Sequence, residues 1–308
     1  MLAKRVLLFL FLAAAQFCLP KPRTQTGKVI VWGIKSNTPE WNRALGVSGA
    51  RQGCTSSPNG CIHFASELAR NYHVKVFLSI GMNAGSPGYA AQYSQLSTSA
   101  PYLAEVGVDD FVLLYRRLES TSPGDAASIV QTTIDNIKSI NPNLKFGITL
   151  YEDEVDSPFV ADSKLSRATR AKFDYIHLYP HFRRNGPNLA KYIPAVKKLF
   201  PNATIIAGAY AYDRRNYLPC AQKDKTPCSV NEELQLFQKT IAVENGLLRD
   251  GTVDWIEFYP GNFGHEAEWK SWENPRICRP GDQEACISTT KQMREIAIRE
   301  LGGQSPNR

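Results

Sequence analysis

Short apolar or aromatic runs recur along this chain, and segments with helical spacing lie between them. The runs are Val29–Ile34, Lys75–Ile80, Asp110–Tyr115, Lys145–Tyr151, Phe173–Tyr179, Thr204–Tyr212 and Val253–Tyr259. Near-continuous apolar strands are what a parallel sheet buried on both faces requires. Among the helical segments, Val130, Ile134 and Ile137 share one face, and Leu189, Ile193, Val196 and Phe200 share another. Ser229 and Glu232 have capping-box spacing ahead of Leu234, Phe237 and Ile241. A last helix is expected from near Ser288, with Met293 and Ile296 inward. The alternation predicts an α/β fold, a TIM-like barrel with seven or eight parallel strands. Seven are visible, and an eighth has room between Lys35 and Gly60. A doubly wound open sheet is the rival fold, but no Gly-rich phosphate turn follows Ile34.

The start of the chain reads as an export signal. Lys4 and Arg5 precede the apolar run Val6–Ala15, which ends in small residues. Residues 1–20 are therefore expected to be a signal peptide, and residues 21–308 one barrel domain, which for this fold takes about 250 residues. Cys18 offers a rival, a lipid anchor, but Phe17 stands where a small residue usually precedes such a cysteine. No later stretch is long and apolar enough for stable membrane insertion. The protein is expected to be secreted or periplasmic.

The other cysteines fit that compartment. They form three local pairs, Cys54 with Cys61, Cys220 with Cys228, and Cys278 with Cys286. Neighbour pairing closes short loops at small entropic cost, although six cysteines permit 15 connectivities. Zinc is the competing reading, and the spacings are wide for it. Without Lys4 and Arg5, 34 basic residues face 29 acidic ones, and the excess is scattered rather than interleaved with aromatics. Nucleic acid is not an expected partner.

In a βα barrel the functional face lies at the carboxyl ends of the strands. Strand alternation puts Val253, Trp255, Glu257 and Tyr259 on one side of the last run. Glu257 is thus a carboxylate inside an apolar strand, which needs a charged partner or a raised proton affinity. Such an acid suits catalysis, or is held by an arginine or a tyrosine hydroxyl with no chemistry. Glu152 follows the strand Lys145–Tyr151, with Asp153 and Glu154 beyond it. Glu257 and Glu152 are the expected catalytic carboxylates of a glycosidase. Carboxyls about 5–5.5 Å apart retain and about 6.5–9.5 Å apart invert the anomeric configuration. Aromatics near the rim would stack on sugar rings. Trp32, Tyr151, Tyr179, Tyr212 and Tyr259 are therefore expected to bind substrate, with Tyr210, Trp269 and Trp272 nearby, and Asn83, His181 and Asp213 as hydrogen-bonding partners. His177, Tyr179 and His181 share one side of a run, but their spacing defines no metal motif, so neither metal nor cofactor is expected.

Two phrases resemble a known family. Lys75–Gly81 (KVFLSIG) is similar to the third strand of the chitinase-like family, and Ala207–Asp213 (AGAYAYD) resembles a late strand of that family and its relatives. That family leads a row of aspartates to a catalytic glutamate. The matching region here, Val108–Tyr115, ends in Tyr115 instead, so the chitinase mechanism is not carried over. A second group of barrel glycosidases places its acids after the fourth and seventh strands. Glu152 and Glu257 lie on the fourth and seventh visible strands, but Tyr151 stands where that group has asparagine before the first acid. An additional early strand would shift the count to five and eight. The resemblance is to the architecture of TIM-barrel glycoside hydrolases, and implies a secreted enzyme acting on a polysaccharide or glycan. A non-catalytic carbohydrate-binding barrel and a metal-assisted hydrolase are the alternatives. Sugar, linkage and oligomeric state stay open.

Overall fold

Eight parallel strands close into a barrel in chain order. They are β1 (Val29–Trp32), β2 (Val47–Gly53), β3 (Lys75–Ser79), β4 (Leu103–Val108), β5 (Lys145–Tyr151), β6 (Tyr175–Tyr179), β7 (Thr204–Tyr210) and β8 (Trp255–Tyr259). The ring closes where Val29, Ile30 and Val31 pair with Ile256, Glu257 and Phe258. The computed structural model describes residues 28–81, 86–155, 164–215, 218–223, 226–261 and 283–302. Asn83, Trp269, Trp272, Cys278 and the expected signal peptide with Cys18 lie outside the described residues.

The surrounding helices are α1 (Pro39–Leu45), α2 (Pro58–Tyr72), α3 (Pro87–Ser97), α4 (Phe111–Thr121), α5 (Ala126–Lys138), α6 (Glu152–Val155), α7 (Arg167–Arg170), α8 (Ile193–Leu199), α9 (Val230–Arg249) and α10 (Gln283–Glu300). Outward strand residues such as Val31, Leu78, Ile148, Leu178, Ala207 and Phe258 form one continuous core with the helices' inner faces. Each large apolar side chain removed from water there contributes about 1.5–3 kcal/mol. Ser229 caps α9 by accepting from the Glu232 amide at 3.2 Å, as its spacing predicts. α10 begins at Gln283, five residues before the expected start, and does bury Met293 and Ile296.

Two strands differ from the sequence reading. The eighth strand is β2, inside the interval left open for it. The run Asp110–Tyr115 is not a strand; its residues from Phe111 onward start α4. Phe111, Val112, Leu114, Tyr115 and Leu118 are buried at helical spacing, which overrides their strand-favouring composition. The true strand, β4, precedes it. With β2 counted, Glu152 follows the fifth strand and Glu257 lies on the eighth, so the match to acids after strands four and seven dissolves.

The barrel interior departs from the usual aliphatic filling. At the amino ends of the strands Ile30, Phe77 and Ile206 pack with Ala104, Tyr175 and Trp255. Above them lies a layer of Arg51, Glu105, His177 and Glu257, each with no exposed surface. Glycines make room for these large groups. A Cβ on Gly107 would stand 2.3 Å from Glu105 Oε1 and 2.5 Å from the Gly147 carbonyl oxygen. A Cβ on Gly208 would stand 2.3 Å from the Tyr179 ring. Gly208→Ala should therefore lower the unfolding free energy by about 1–3 kcal/mol, measured by urea denaturation. An unchanged midpoint would show that the Tyr179 ring moves aside freely.

Glu244 on α9 is a further buried acid, outside the barrel; both its carboxyl oxygens lack a partner. Burial raises its proton affinity well above the ordinary carboxyl range, and Arg183 offsets only part of this. The unfolded chain therefore ionises first as pH rises, and folding loses stability above about pH 4.5 until the folded-state value is passed. Glu244→Met is expected to add about 1–3 kcal/mol, with a larger gain at alkaline than at acidic pH. Equal gains at both ends, by urea unfolding, would contradict the assignment of a protonated acid here.

Candidate active site

The charged layer is a connected chain of hydrogen bonds across the barrel axis. Arg51 Nη1 donates to Glu257 Oε1 at 3.0 Å, and Arg51 Nη2 donates to Thr149 Oγ1 at 2.9 Å. His177 Nδ1 contacts Glu257 Oε2, and its Nε2 lies 2.8 Å from Glu105 Oε2. The Trp32 indole N–H and the Tyr179 hydroxyl also donate to Glu257 Oε1, the latter at 2.6 Å. Burial alone would raise the Glu257 proton affinity, but Arg51 and His177 overcome it and hold the carboxyl well below its usual range. Burial and Arg51 disfavour charge on His177, yet Glu105 and Glu257 raise its proton affinity above the ordinary value.

Asp109 stands above this layer. It follows β4 directly, on the row of Glu105 and Gly107. It is half-buried. Burial is the largest influence on it and raises its proton affinity. Arg51 and a Thr149 hydrogen bond oppose this, while Asp110 and Glu257 add to it, and the net shift is upward. Asp110 next to it has left-handed backbone, φ 49° and ψ 50°, which an aspartate tolerates better than most residues. That turn carries the chain from β4 into α4. Its Oδ1 accepts from the Tyr151 hydroxyl at 2.7 Å, and Tyr151 in turn accepts from the Tyr210 hydroxyl at 3.1 Å.

Aromatic side chains continue around the rim. Trp32 meets Tyr259 edge-on at 5.5 Å between ring centres. Tyr259 meets Tyr210 at 5.9 Å and Tyr212 at 6.4 Å, and Tyr210 meets Tyr179 at 5.1 Å. The Arg214 guanidinium lies over the Tyr210 ring at 3.9 Å. Trp32, Tyr151, Tyr210 and Tyr259 are half-buried, whereas Tyr179 and Tyr212 are buried. Five of the expected sugar-binding aromatics, Trp32, Tyr151, Tyr179, Tyr212 and Tyr259, therefore lie in one connected group with Glu257.

The other expected site residues have different surroundings. Glu152 is 1% exposed, and its carboxylate accepts from the His181 amide, the Phe182 amide at 3.2 Å and Asn185 Nδ2 at 2.7 Å. It ties α6 to the turn after β6, and none of its hydrogen bonds reaches Glu257. His181 pairs with Asp153 at 3.1 Å and stacks on Tyr151. It is His177, not His181, that contacts Glu257. Asp213 is held by Arg215 at 2.7 Å. Asn37 donates to the Gly261 carbonyl at 2.8 Å, and Lys35 lies over the Phe64 ring. Disulfides join Cys54 to Cys61 and Cys220 to Cys228; Cys286 is also disulfide-bonded. Among the described residues the one cluster with metal-ligand spacing is Cys220, Cys228 and Glu232, and a disulfide joins its cysteines. No helix among them is long and apolar enough to cross a membrane.

Asp109, Arg51 and Glu105 escaped the sequence reading. Their signal was present as charged residues alternating with glycine at every second position, Glu105-x-Gly107-x-Asp109 and Gly49-x-Arg51-x-Gly53.

No family model matches this sequence, and no curated protein sequence matches it significantly. Solved structures do match in fold. A glucosidase from Croceicoccus marinus superposes with a TM-score of 0.55 at 11% identity, over 88% of this chain and 67% of that one. The catalytic domain of a hyperthermophilic chitinase from Pyrococcus furiosus gives 0.52 at 10% identity, over 91% of this chain and 97% of that one. At such identities the likeness is one of fold. The chain shares the architecture of TIM-barrel glycoside hydrolases.

Proposed function

We propose that the protein is an exported glycoside hydrolase in which Asp109 is the proton donor and Glu257 its ionised counterpart. The carrying observation is the opposite environment of these two carboxyls. Asp109 is pushed toward the protonated form and Glu257 toward the ionised form. Acid and base roles are found where neighbouring titratable groups are driven apart in this way. Asp109 would give its proton to the glycosidic oxygen as the C–O bond breaks. The resulting carboxylate would then accept a proton from the attacking water, which restores the acid. Glu257 is fully enclosed and is assigned no bond to sugar; it orients Trp32 and Tyr179 and adds to the proton affinity of Asp109. Glu152 is assigned to the loop that presents His181. The paired cysteines support export.

A second reading is a barrel that binds glycan without cleaving it. The enclosure of Glu257 favours it, because a buried carboxylate already holding several donors is not free to react. A glycan panel read for both binding and reducing-end release separates the two. Release is expected. Binding without release on every bound glycan would overturn the enzyme reading and support the second.

A further inference from the structure

Asp110 breaks two local rules for the start of a helix. It is the capping residue of α4, and such a residue ordinarily has extended backbone and turns its side-chain oxygen onto the amides of its own helix. Here the backbone is left-handed, and no amide of α4 bonds the carboxyl. Only the Asp110 carbonyl joins the helix, accepting from the Leu114 amide at 3.1 Å. The carboxyl reaches instead to the end of β5, where its Oδ1 accepts from the Tyr151 hydroxyl at 2.7 Å. Unusual backbone of this kind persists where the surrounding structure holds it, and it concentrates at functional sites.

Tyr151 is itself held from several directions. Its hydroxyl accepts from the Tyr210 hydroxyl, at the end of β7, at 3.1 Å. Its amide donates to Glu154 Oε2 at 3.0 Å. Its ring stacks on His181, which follows β6, with 4.8 Å between ring centres. One side chain thus ties the ends of β5 and β7 and the turn after β6 to the turn after β4. Asp109 is the residue of that last turn immediately before Asp110.

We propose that Tyr151 and Asp110 are positioning residues for Asp109: the Tyr151 hydroxyl anchors the Asp110 carboxyl, the anchored carboxyl fixes the left-handed turn, and the turn sets the direction of the Asp109 side chain. This rests on the reading of Asp109 as the acid. A proton donor must meet the glycosidic oxygen at hydrogen-bond distance, and a misplacement of about 1 Å can cost about 10²-fold in rate.

Two substitutions at position 110 separate the anchor from the backbone. Asp110→Gly adopts the left-handed conformation without strain but offers Tyr151 nothing. Asp110→Asn also tolerates that conformation and keeps an oxygen for the hydroxyl. At acidic pH, where Asp109 keeps its proton in each variant, Asp110→Gly should lower kcat by about 10–10²-fold and leave KM within about twofold. Asp110→Asn should retain most of kcat. The urea midpoint of Asp110→Gly should match that of the unmodified protein, which separates lost aim from lost folding. Tyr151→Phe should show the same fall in kcat, and the double variant with Asp110→Gly should fall no further than either single change. Full kcat in Asp110→Gly, an equal loss in Asp110→Asn, or a loss confined to KM would overturn the proposal. Should Asp109→Asn prove fully active, or no glycan be cleaved, the acid reading fails and the Asp109 rotamer decides the positioning role. Three-bond NMR couplings across its χ1 should report one rotamer in the unmodified protein and in Asp110→Asn, and averaging in Asp110→Gly. A single rotamer in all three would overturn the proposal.

Discussion

Asp109→Asn is expected to lower kcat by about 10²–10⁴-fold on any glycan the protein cleaves, the usual worth of a positioned general acid. KM should change little, because the aromatic rim and the Glu257 network stay intact. Stability should hold or rise. The folded state favours the protonated acid, so ionisation of the unfolded chain works against folding above the ordinary carboxyl range, and asparagine removes that cost. The pH profile of the unmodified protein should show the matching sign, with activity lost as pH rises and Asp109 gives up its proton. Full turnover by Asp109→Asn, assayed by reducing-end release, would remove this residue from the mechanism.

Arg51→Leu should cause the largest loss of stability of any substitution named here, about 3–5 kcal/mol, because it strands Glu257 as an uncompensated buried charge. Both partners have no exposed surface, so solvent does not weaken the pair. Glu257→Gln should also destabilise, because Arg51 and His177 would lose the carboxylate that both contact. An acid that served catalysis alone would lose activity on Glu257→Gln with little change in melting temperature. The geometry instead ties the two effects together. Combining Arg51→Leu with Glu257→Gln should cost less than the sum of the single changes, since neither charge is then left alone. Strict additivity in urea unfolding would show that the pair is not energetically coupled.

The fold was legible wherever a strand carries a run of apolar or aromatic residues. β1, β3, β6, β7 and β8 announce themselves partly through axis-facing residues such as Ile30, Phe77, Tyr175, Ile206 and Trp255, and β5 through its outward Phe146, Ile148 and Leu150. β2 and β4 do not, because their inward rows are Gly49-Arg51-Gly53 and Glu105-Gly107. The residues that charge the interior are the same ones that erase the strand signal. With β4 read as beginning at Asp110, Asp109 fell before a strand rather than at the end of one. Glu257 was visible as a lone acid in an apolar run. Its partners were not, since Arg51 and His177 lie 206 and 80 positions away and no local pattern reports them. Glu152 looked equally suited to chemistry, but folding brings the backbone amides of His181 and Phe182, 29 and 30 positions away, onto its carboxylate.

The glycines inside the barrel behave as casts of their neighbours. Gly107 and Gly147 carry the imprint of the Glu105 carboxyl, and Gly208 that of the Tyr179 ring. A redesign that replaced Glu105 with a small residue would therefore leave a hollow rather than a repaired core, and one that enlarged either glycine alone would collide with the acid. Positions 105, 107 and 147 form a single unit of change. Protein engineers who wish to convert this axis to ordinary aliphatic filling would have to exchange all three in one step.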